Sequence, residues 1–398
     1  MAIRLDDPAL YERGFPHEEF DRLRKSEPVF FNAGPHHFYA VTRHDDAVTV
    51  LKDPQTYSSH MGGVSIEDPS PELWPVLSAM LPSLDPPEHM QLRRKLFPPL
   101  KAGEIARLEQ TLQSGSEALL EGAIGQETFD FVDRIAARIP MDAFGALMGL
   151  GPDEIEPMRQ CTDAVISQGA NQSERAIFDM FELLDRLVAD RRTSPRDDYL
   201  TLLATVDSGH EPMTAIARNG MLLQIIIGAI ETTRNTLTGM LLALQNFPQQ
   251  YELLRRHVEL IPAAVEESLR YVSPVNYLRR TTRVAAELHG HALEQGSRVV
   301  VFLAAANRDP RQFPSPHQFD LLRENASSHL AFGAGEHFCM GTALARLEMT
   351  TFWRSFMMLV GDFEICGEPI RVRSVQQNAI VRLPVVLHAG SRQRRHST

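Results

Sequence analysis

The chain has 398 residues, 43% of them hydrophobic, and its 40 basic and 51 acidic residues give a formal net charge of −11. This balance argues against nonspecific nucleic-acid binding and provides no polybasic segment for a membrane surface. The cysteines Cys161, Cys339 and Cys366 are too widely spaced for a zinc motif or a disulfide framework, which is typical of the reducing cytoplasm.

The N-terminal part of the chain predicts a mixture of helix and strand. Residues 1–8 contain no apolar run, so we expect neither a signal peptide nor a membrane anchor. A helical pattern lies around residues 18–25, and strand-like runs follow at 29–31 and 37–42. A short helix is predicted over 45–51, and we interpret this part as a small β-meander that only packs.

Residues 58–84 are irregular, with adjacent glycines, several prolines and interspersed apolar residues. A long irregular segment in a compact protein is usually functional or mobile, and the apolar content suggests the wall of a pocket. Next, His89 and Arg93 stand four residues apart and share one helical face. A surface basic helix explains that spacing equally well.

Helical patterns then recur over 104–121, 129–148, 153–168, 174–192 and 197–206. Residues 168–173 link two of these helices. The sequence alone does not distinguish a simple connection from a lid over a channel.

The longest helical pattern runs from about Pro212 to Asn246, which at 1.5 Å per residue would span roughly 50 Å. Charged residues interrupt it, so it does not have the pattern of a membrane span. At its centre Glu231 and Thr232 stand beside each other within an apolar run, an arrangement that is costly to bury without a purpose. The alternative is a helix that passes through a polar patch.

The C-terminal half combines one short helix with several strands. The helix is predicted over 261–272, where Glu267 and Arg270 lie three residues apart, and such pairs are usually exposed and contribute little. Strand-like runs follow at 283–289, 292–294 and 298–303. A final hairpin is predicted over 362–388, with Ile380 near its tip.

The segment from Phe332 to Gly341 reads F-G-A-G-E-H-F-C-M-G and precedes a strongly helix-forming run. Its glycines allow tight turns and close approach to a large flat ligand. Backbone N–H groups and the helix N-terminus favour an anionic sulfur at Cys339, and a thiolate is a metal ligand. A buried structural cysteine is the alternative for an isolated residue of this kind.

This segment resembles the haem-binding loop of the cytochrome P-450 family at Phe332, Gly333, Gly335, His337, Cys339 and Gly341. The resemblance covers residues 15–388 and implies a mainly α fold with a small β-rich lobe and a long central helix over the haem. It implies a single domain over residues 1–398, with a disordered tail at 389–398. Cys339 would be the axial ligand of the iron of haem b, and Phe332 and Gly335 would contact the cofactor.

The resemblance extends to residues elsewhere in the chain. His89, Arg93, Arg280 and His337 match residues that bind the haem propionates, with Arg279 as the competitor of Arg280. Glu231 and Thr232 match the pair that relays protons to oxygen, although the usual Ala-Gly before them is Gly228-Ala229 here. Glu267 and Arg270 match a buried structural pair, residues 58–84 would border the substrate, and residues 168–173 would form the lid.

Substrate contacts are expected from both halves of the chain. Gln224 lies on one helical stripe with Gly228 and Thr232, so its amide could anchor a polar group of the substrate or bond to a neighbouring backbone group. The other expected substrate-binding residues are Ile227, Gly228, Asn276 and Ile380.

The implied protein is a cytoplasmic, monomeric haem-thiolate monooxygenase. It would oxidise a mostly apolar substrate of natural-product (polyketide or terpenoid) or steroid metabolism, free or tethered to a carrier protein. Electrons would come from NAD(P)H through a reductase and a ferredoxin or flavodoxin, with Arg94, Lys95 and Lys101 as candidate contacts for an acidic donor. Alternatives are a haem-bearing sensor without turnover and a peroxide-driven variant, which the Glu231–Thr232 pair disfavours.

Overall fold

The computed structural model describes residues 3–167, 170–206 and 213–390, with the side chains of residues 163–174 excepted. Helices predominate, which confirms the expected fold class. They are α1 (His17–Ser26), α2 (His44–Lys52), α3 (Trp74–Leu77), α4 (Glu88–Leu96), α5 (Ala102–Ile105), α6 (Glu109–Ala123), α7 (Arg138–Met148), α8 (Pro152–Ser167), α9 (Ala170–Thr193), α10 (Tyr199–Thr205), α11 (Ala215–Asn246), α12 (Pro248–Arg256), α13 (Ile261–Val272), α14 (Leu303–Ala306) and α15 (Thr342–Leu359).

The strands form small sheets, the largest with five strands in the order β1-β2-β8-β5-β3. Strands β2 and β8 are parallel in this sheet, and the other adjacent pairs of strands within it are antiparallel. A three-stranded sheet has the order β4-β12-β9, and β6–β7 and β10–β11 are separate pairs. The strands are β1 (Val29–Asn32), β2 (Phe38–Val41), β3 (Tyr57–Ser58), β4 (Phe129–Asp130), β5 (Leu278–Thr282), β6 (Ala286–Leu288), β7 (His291–Leu293), β8 (Arg298–Val301), β9 (Val360–Ile365), β10 (Ile370–Arg371), β11 (Ile380–Arg382) and β12 (Pro384–Ala389).

Helix α11 has 32 residues and links the two largest apolar clusters of the protein. Its first half, including Ile226 and Ile230, packs with helices α4, α7, α9 and α10. Its second half, including Leu237 and Leu244, packs with α6, α13 and strands β9 and β12. Helix α15 contributes side chains to both clusters, so α11 and α15 hold the halves of the molecule together.

The start of α11 is set by its cap. The hydroxyl of Thr214 accepts a hydrogen bond from the Ala217 N–H at 3.2 Å, as an N-cap threonine should. Pro212, where we expected the helix to begin, lies outside the described residues. Within the ranges that the structure describes, no helix is long and apolar enough to cross a membrane.

The predicted pair Glu267–Arg270 is completely buried and bidentate, with both N···O distances at 2.7 Å. The Arg270 guanidinium also donates to the carbonyls of Asn307, Pro316 and Gln318. Arg323 supplies a second cation to Glu267 at 3.1 Å. The pair therefore joins α13 to the chain that leads to the Cys339 loop, and it is not the exposed pair typical of this spacing.

Several sequence expectations were wrong in detail. The strand expected over 283–289 is shorter, β6 at Ala286–Leu288, and the strand before it, β5, which pairs with β8, was not expected. Pro248 begins helix α12, which the sequence did not indicate. The core also extends beyond 15–388, since Leu5 is completely buried and Ala389 pairs with Val360.

Two expectations fall partly on residues that the structure leaves undescribed. Gln168 and Gly169, in the predicted lid, lie outside the described residues, and α9 begins directly after them. The tail from residue 391 onward also lies outside them.

Candidate active site

The Cys339 loop is shaped by two left-handed glycines and one backbone hydrogen bond. Gly333 and Gly335 both have φ of +71°, and the Cys339 N–H donates to the Phe332 carbonyl at 2.9 Å. A Cβ on Gly335 would lie 2.5 Å from the Leu51 carbonyl oxygen. We predicted Gly335 as a cofactor contact, but what requires glycine there is the close approach of the loop to the end of α2.

The side chain of Cys339 is exposed to open space although the residue lies deep in the protein. Burial raises the pKa of its thiol, and the Gly341 N–H together with the charges of Arg93 and Arg346 lowers it. Arg346 is itself held by Glu266, at 2.6 and 2.9 Å, and its guanidinium lies 4.8 Å from the centre of the Phe332 ring. The loop thus opposes the desolvation of a thiolate with a backbone donor and two cations.

Four predicted propionate-binding residues come together beside this loop. The rings of His89 and His337 lie 4.0 Å apart, and both respond to the charges of Arg93 and Arg280. Burial is the main cause that lowers the pKa of His89 to about 4 and that of His337 to about 2, so both rings are neutral near pH 7. Burial likewise lowers the pKa of Arg280 to about 10.

The structure distinguishes Arg280 from its competitor Arg279. The Arg279 guanidinium is bound by Asp68 at 2.7 Å and by the carbonyls of Ser65 and Ile66. Arg280 donates only to the Arg279 carbonyl, at 2.8 Å, and no carboxylate of the described residues forms a salt bridge with it. Arg279 therefore anchors the irregular segment, and Arg280 is the arginine left for a ligand.

These residues fit a haem group. Arg280 is a buried cation without a carboxylate partner among the described residues, and the buried Nδ1 atom of His89 makes no hydrogen bond. Such groups are rarely left unsatisfied in a native protein, and two carboxylates match their charge and donors. A thiol exposed to open space within the same cluster is a group of the kind that ligates a haem iron.

The carboxyl of Glu231 is 3% exposed and faces the C-terminal turn. The Gln377 amide donates to its Oε2 at 2.6 Å, and Arg234 lies 3.9 Å from its Oε1. Burial is the largest cause acting on the carboxyl and raises its pKa, which Arg234 and Gln377 only partly oppose. Glu231 therefore holds a proton more readily near neutral pH than an exposed glutamate does.

One face of α11 borders open space at its centre. Gly228 is exposed, and Gln224, Ile227 and Thr232 are partly exposed around it, whereas Ile226 and Ile230 are buried. The Thr232 hydroxyl donates to the Gly228 carbonyl at 2.8 Å, and the helix continues through Gly228 without a break. The predicted stripe thus lines a space within the protein.

The irregular segment lies against the same helix. A Cβ on Gly220 would meet the Val76 side chain at 2.7 Å, so α3 packs tightly on the first half of α11. Because Gly220 precedes Gln224 by about one helical turn, this contact places the segment next to the open face. The role of this segment as the wall of a pocket stays a prediction.

Two predicted substrate residues are not part of this face. Asn276 is 1% exposed and its amide donates to the Val375 carbonyl at 3.0 Å, which favours a structural role. Ile380 is buried in the apolar cluster of the second half of α11, because the strand register of β11 turns it into the core. The Oδ1 atom of Asn276 has no hydrogen-bond partner, and the substrate roles of Asn276 and Ile380 stay predictions.

Sequence reasoning missed the residue that holds Glu231. Gln377 is 146 positions away in the chain, and its neighbour Asn378 donates to the Val272 carbonyl at 2.7 Å. It also missed Ser59, whose hydroxyl lies 3.2 Å from His337 Nε2. No sequence pattern singles out either residue.

The model of the cytochrome P450 family matches residues 154–364. The chain is 32% identical to linalool 8-monooxygenase of Pseudomonas putida, over 96% of this chain and 98% of that protein. It is 31% identical to cytochrome P450 107B1 of Saccharopolyspora erythraea, over 96% and 97% of the two chains. Among solved structures, cytochrome P450 CYP109Q5 of Chondromyces apiculatus is 28% identical, with a TM-score of 0.87 over 98% of this chain and 99% of that chain.

The role of Cys339 is testable by substitution. In Cys339→Ser, the haem-reconstituted ferrous protein should lose the carbon-monoxide absorption band typical of thiolate ligation, because a serine hydroxyl does not provide the same ligand. The matched control is Cys366→Ser, since Cys366 is also exposed but lies in the C-terminal region of the chain. An unchanged band in Cys339→Ser would contradict the assignment.

Proposed function

The chain belongs to the cytochrome P450 family, and on this premise we propose that it inserts one oxygen atom from dioxygen into a mostly apolar organic substrate. The observation that carries the proposal is the pairing of two features. One is an accessible thiol at Cys339. Beside it lie two groups that could bind propionates, the unpaired Nδ1 atom of His89 and the guanidinium of Arg280. The other is the pair of Glu231 and Thr232 on α11. Apolar side chains of α11 pack in one cluster with Met340 and Leu344, which follow Cys339 in the chain.

The cofactor in this proposal is haem b. When bound, the haem supplies the dioxygen and redox chemistry, and the protein supplies ligand, orientation and protons. Cys339 Sγ would be the axial ligand, with Arg93 and Arg346 stabilising its negative charge. His89, Arg93, Arg280 and His337 would hold the propionates, and Phe332 would pack against the cofactor from the loop.

Proton delivery is assigned to Glu231 and Thr232. Burial raises the pKa of Glu231, which makes its carboxyl a better proton donor and acceptor than an exposed glutamate, as a general acid–base group requires. Thr232 would present its hydroxyl to the open face, where the Gly228 carbonyl fixes its Oγ1 at 2.8 Å. The Gln377 amide would keep the Glu231 carboxylate oriented between catalytic turnovers.

The substrate would lie along the open face of α11, between Ile227 and the irregular segment. Apolar side chains surround it, and Gln224 is the exception. Among the described residues nothing hydrogen-bonds to its amide, and its Nε2 lies 3.8 Å from where a Cβ on Gly228 would be. A substrate with a hydroxyl, carbonyl or carboxyl remote from the oxidised carbon would pair with this amide.

A terpenoid alcohol is the first substrate class to test. The relative from Pseudomonas putida is named for a reaction of linalool, and both proteins align over nearly their full lengths. Steroid and polyketide-type substrates, free or tethered to a carrier protein, form the rest of the screen.

Electrons would arrive on the side of the Cys339 loop. Phe338 is 39% exposed there, and its carbonyl accepts a hydrogen bond from Arg93 at 2.6 Å. The exposed cations Arg94 and Lys101 lie on and just after the same helix, α4. A ferredoxin or flavodoxin with an acidic face, served by an NAD(P)H-dependent reductase, would suit this surface.

Thr232→Ala should leave substrate affinity unchanged but lower the rate of product formation by about 10²–10⁴-fold, the usual contribution of positioned proton transfer. The electrons consumed should then appear as peroxide or excess water. The measurement is product formed per NAD(P)H oxidised with surrogate redox partners. Thr236→Ala is the matched control, because its hydroxyl also donates to the carbonyl four residues earlier, at 2.8 Å, one turn further along. Full coupling in Thr232→Ala would contradict the relay.

Gln224→Leu should weaken binding of a polar-substituted substrate roughly 3- to 10-fold, the effect of one lost hydrogen bond, with an unchanged melting temperature. Binding is followed by the spectral shift of the haem on titration. Gln245→Leu, at an exposed position of the same helix, is the control. Unchanged affinity with lower stability would instead identify Gln224 as a structural residue.

A further inference from the structure

A cavity of about 240 Å³ lies at the second half of α11, away from the Cys339 loop. It is bordered by the N-terminal segment before α1, the end of α13, the chain around Arg308, and the C-terminal turn. Asn235 lies in its wall, one helical turn after Glu231. None of the residues that bind or orient a ligand in the proposed reaction lines it.

Three side chains in the wall carry buried polar atoms that lack a hydrogen bond. Asn235 is 2% exposed, and neither its amide nitrogen nor its oxygen has a partner. The same is true of His17 Nδ1 and of Arg308 Nε. Buried polar groups in native proteins are nearly always satisfied, so several unsatisfied donors around one cavity indicate that a ligand or ordered water belongs there.

The charge around the cavity selects between kinds of ligand. Arg13, Arg308 and Arg371 line it, and no aspartate or glutamate does so among the residues that the structure describes. The Arg371 guanidinium makes one long hydrogen bond, 3.3 Å to Asn378 Oδ1. Burial is the largest cause that holds the pKa of His17 well below its usual value, and the charge of Arg308 lowers it further.

A neighbouring cavity shows the contrast. It measures about 530 Å³ and is also rich in arginine, but carboxylates line it. Asp21 pairs there with Arg24 and with His317, both at 2.6 Å, and Asp309 pairs with Arg311 at 2.9 Å. Two carboxylates thus neutralise part of the positive charge of this cavity, whereas no carboxylate among the described residues lines the cavity beside Asn235.

We propose that the cavity beside Asn235 binds a small oxyanion, either inorganic phosphate or a short-chain carboxylate. The anion would accept hydrogen bonds from the Asn235 amide, from Arg371 and from Arg308 Nε, since the terminal nitrogens of Arg308 already donate to the carbonyls of Pro316 and Tyr271. The volume of the cavity, about 240 Å³, is large enough for such an anion together with a few waters. The site is independent of the proposed function, because it uses none of the residues assigned to the oxidation.

Binding would connect distant parts of the chain. The N-terminal segment contributes Arg13 and His17, α11 contributes Asn235, and the C-terminal turn contributes Arg371 and Asn378. Residue Gln377 of that turn holds Glu231 at 2.6 Å. A ligand that binds only the folded protein raises its stability by mass action, so the anion should fasten these elements together.

The experiment is calorimetric titration of the haem-loaded protein with inorganic phosphate and, separately, with acetate, at constant ionic strength. We expect saturable binding of one anion per chain and a higher melting temperature at saturation. The tighter of the two anions identifies the class of the natural ligand. Arg371→Gln should weaken binding about tenfold, as expected for one lost charge-assisted hydrogen bond.

Two further variants make the result specific. Arg371→Lys should bind more tightly than Arg371→Gln, because it keeps the positive charge. Arg373→Gln removes the same charge from an exposed neighbour outside the cavity wall and should bind like the wild type. Melting of each variant without anion shows whether it is folded. The proposal is overturned if neither anion gives saturable heat, which would leave water as the occupant, or if Arg371→Gln and Arg373→Gln weaken binding equally.

Discussion

The proposed site depends on stabilising a negatively charged sulfur at a desolvated position. Burial is the largest cause acting on the Cys339 thiol and raises its pKa, which disfavours the thiolate that a metal ligand requires. The opposing contributions come from separate parts of the chain: the Gly341 N–H, Arg93 from α4, and Arg346 from α15, itself fixed by Glu266 of α13. The buried Glu267–Arg270 pair then ties α13 to the chain that leads to the loop.

The central helix α11 also places an ionisable group, the carboxyl of Glu231, at a desolvated position. Glu231 is buried, and only Arg234 and Gln377 partly compensate its charge, so its pKa is raised and its proton is available to be exchanged. A fully compensated carboxylate would be more stable and chemically inert. The proposed substrate would lie at the open face of this helix around Gly228, while the contact between Gly220 and Val76 holds the irregular segment beside it.

Much of this could be predicted from the sequence, because the strong signals are local. The 3.6-residue pattern located α11 and α13, the glycine-framed loop singled out Cys339, and the family resemblance supplied the expected histidine and arginine partners. Strand register depends on partners distant in the chain, which is why β5 was missed. The bond from Gln377 to Glu231 spans 146 positions and has no local signature. Helix α12 was not expected, although Pro248 occupies its first turn, a position that proline favours.

The central claim is that this chain transfers one oxygen atom from dioxygen to an organic substrate at a haem held by Cys339. Its most direct test is a turnover experiment under isotopically labelled dioxygen, with surrogate redox partners and a ligand that shifts the haem spectrum. The account predicts one labelled oxygen atom in the product and the other in water. Label absent from the product, or a spectral shift without any product, would contradict it and identify a binding protein instead.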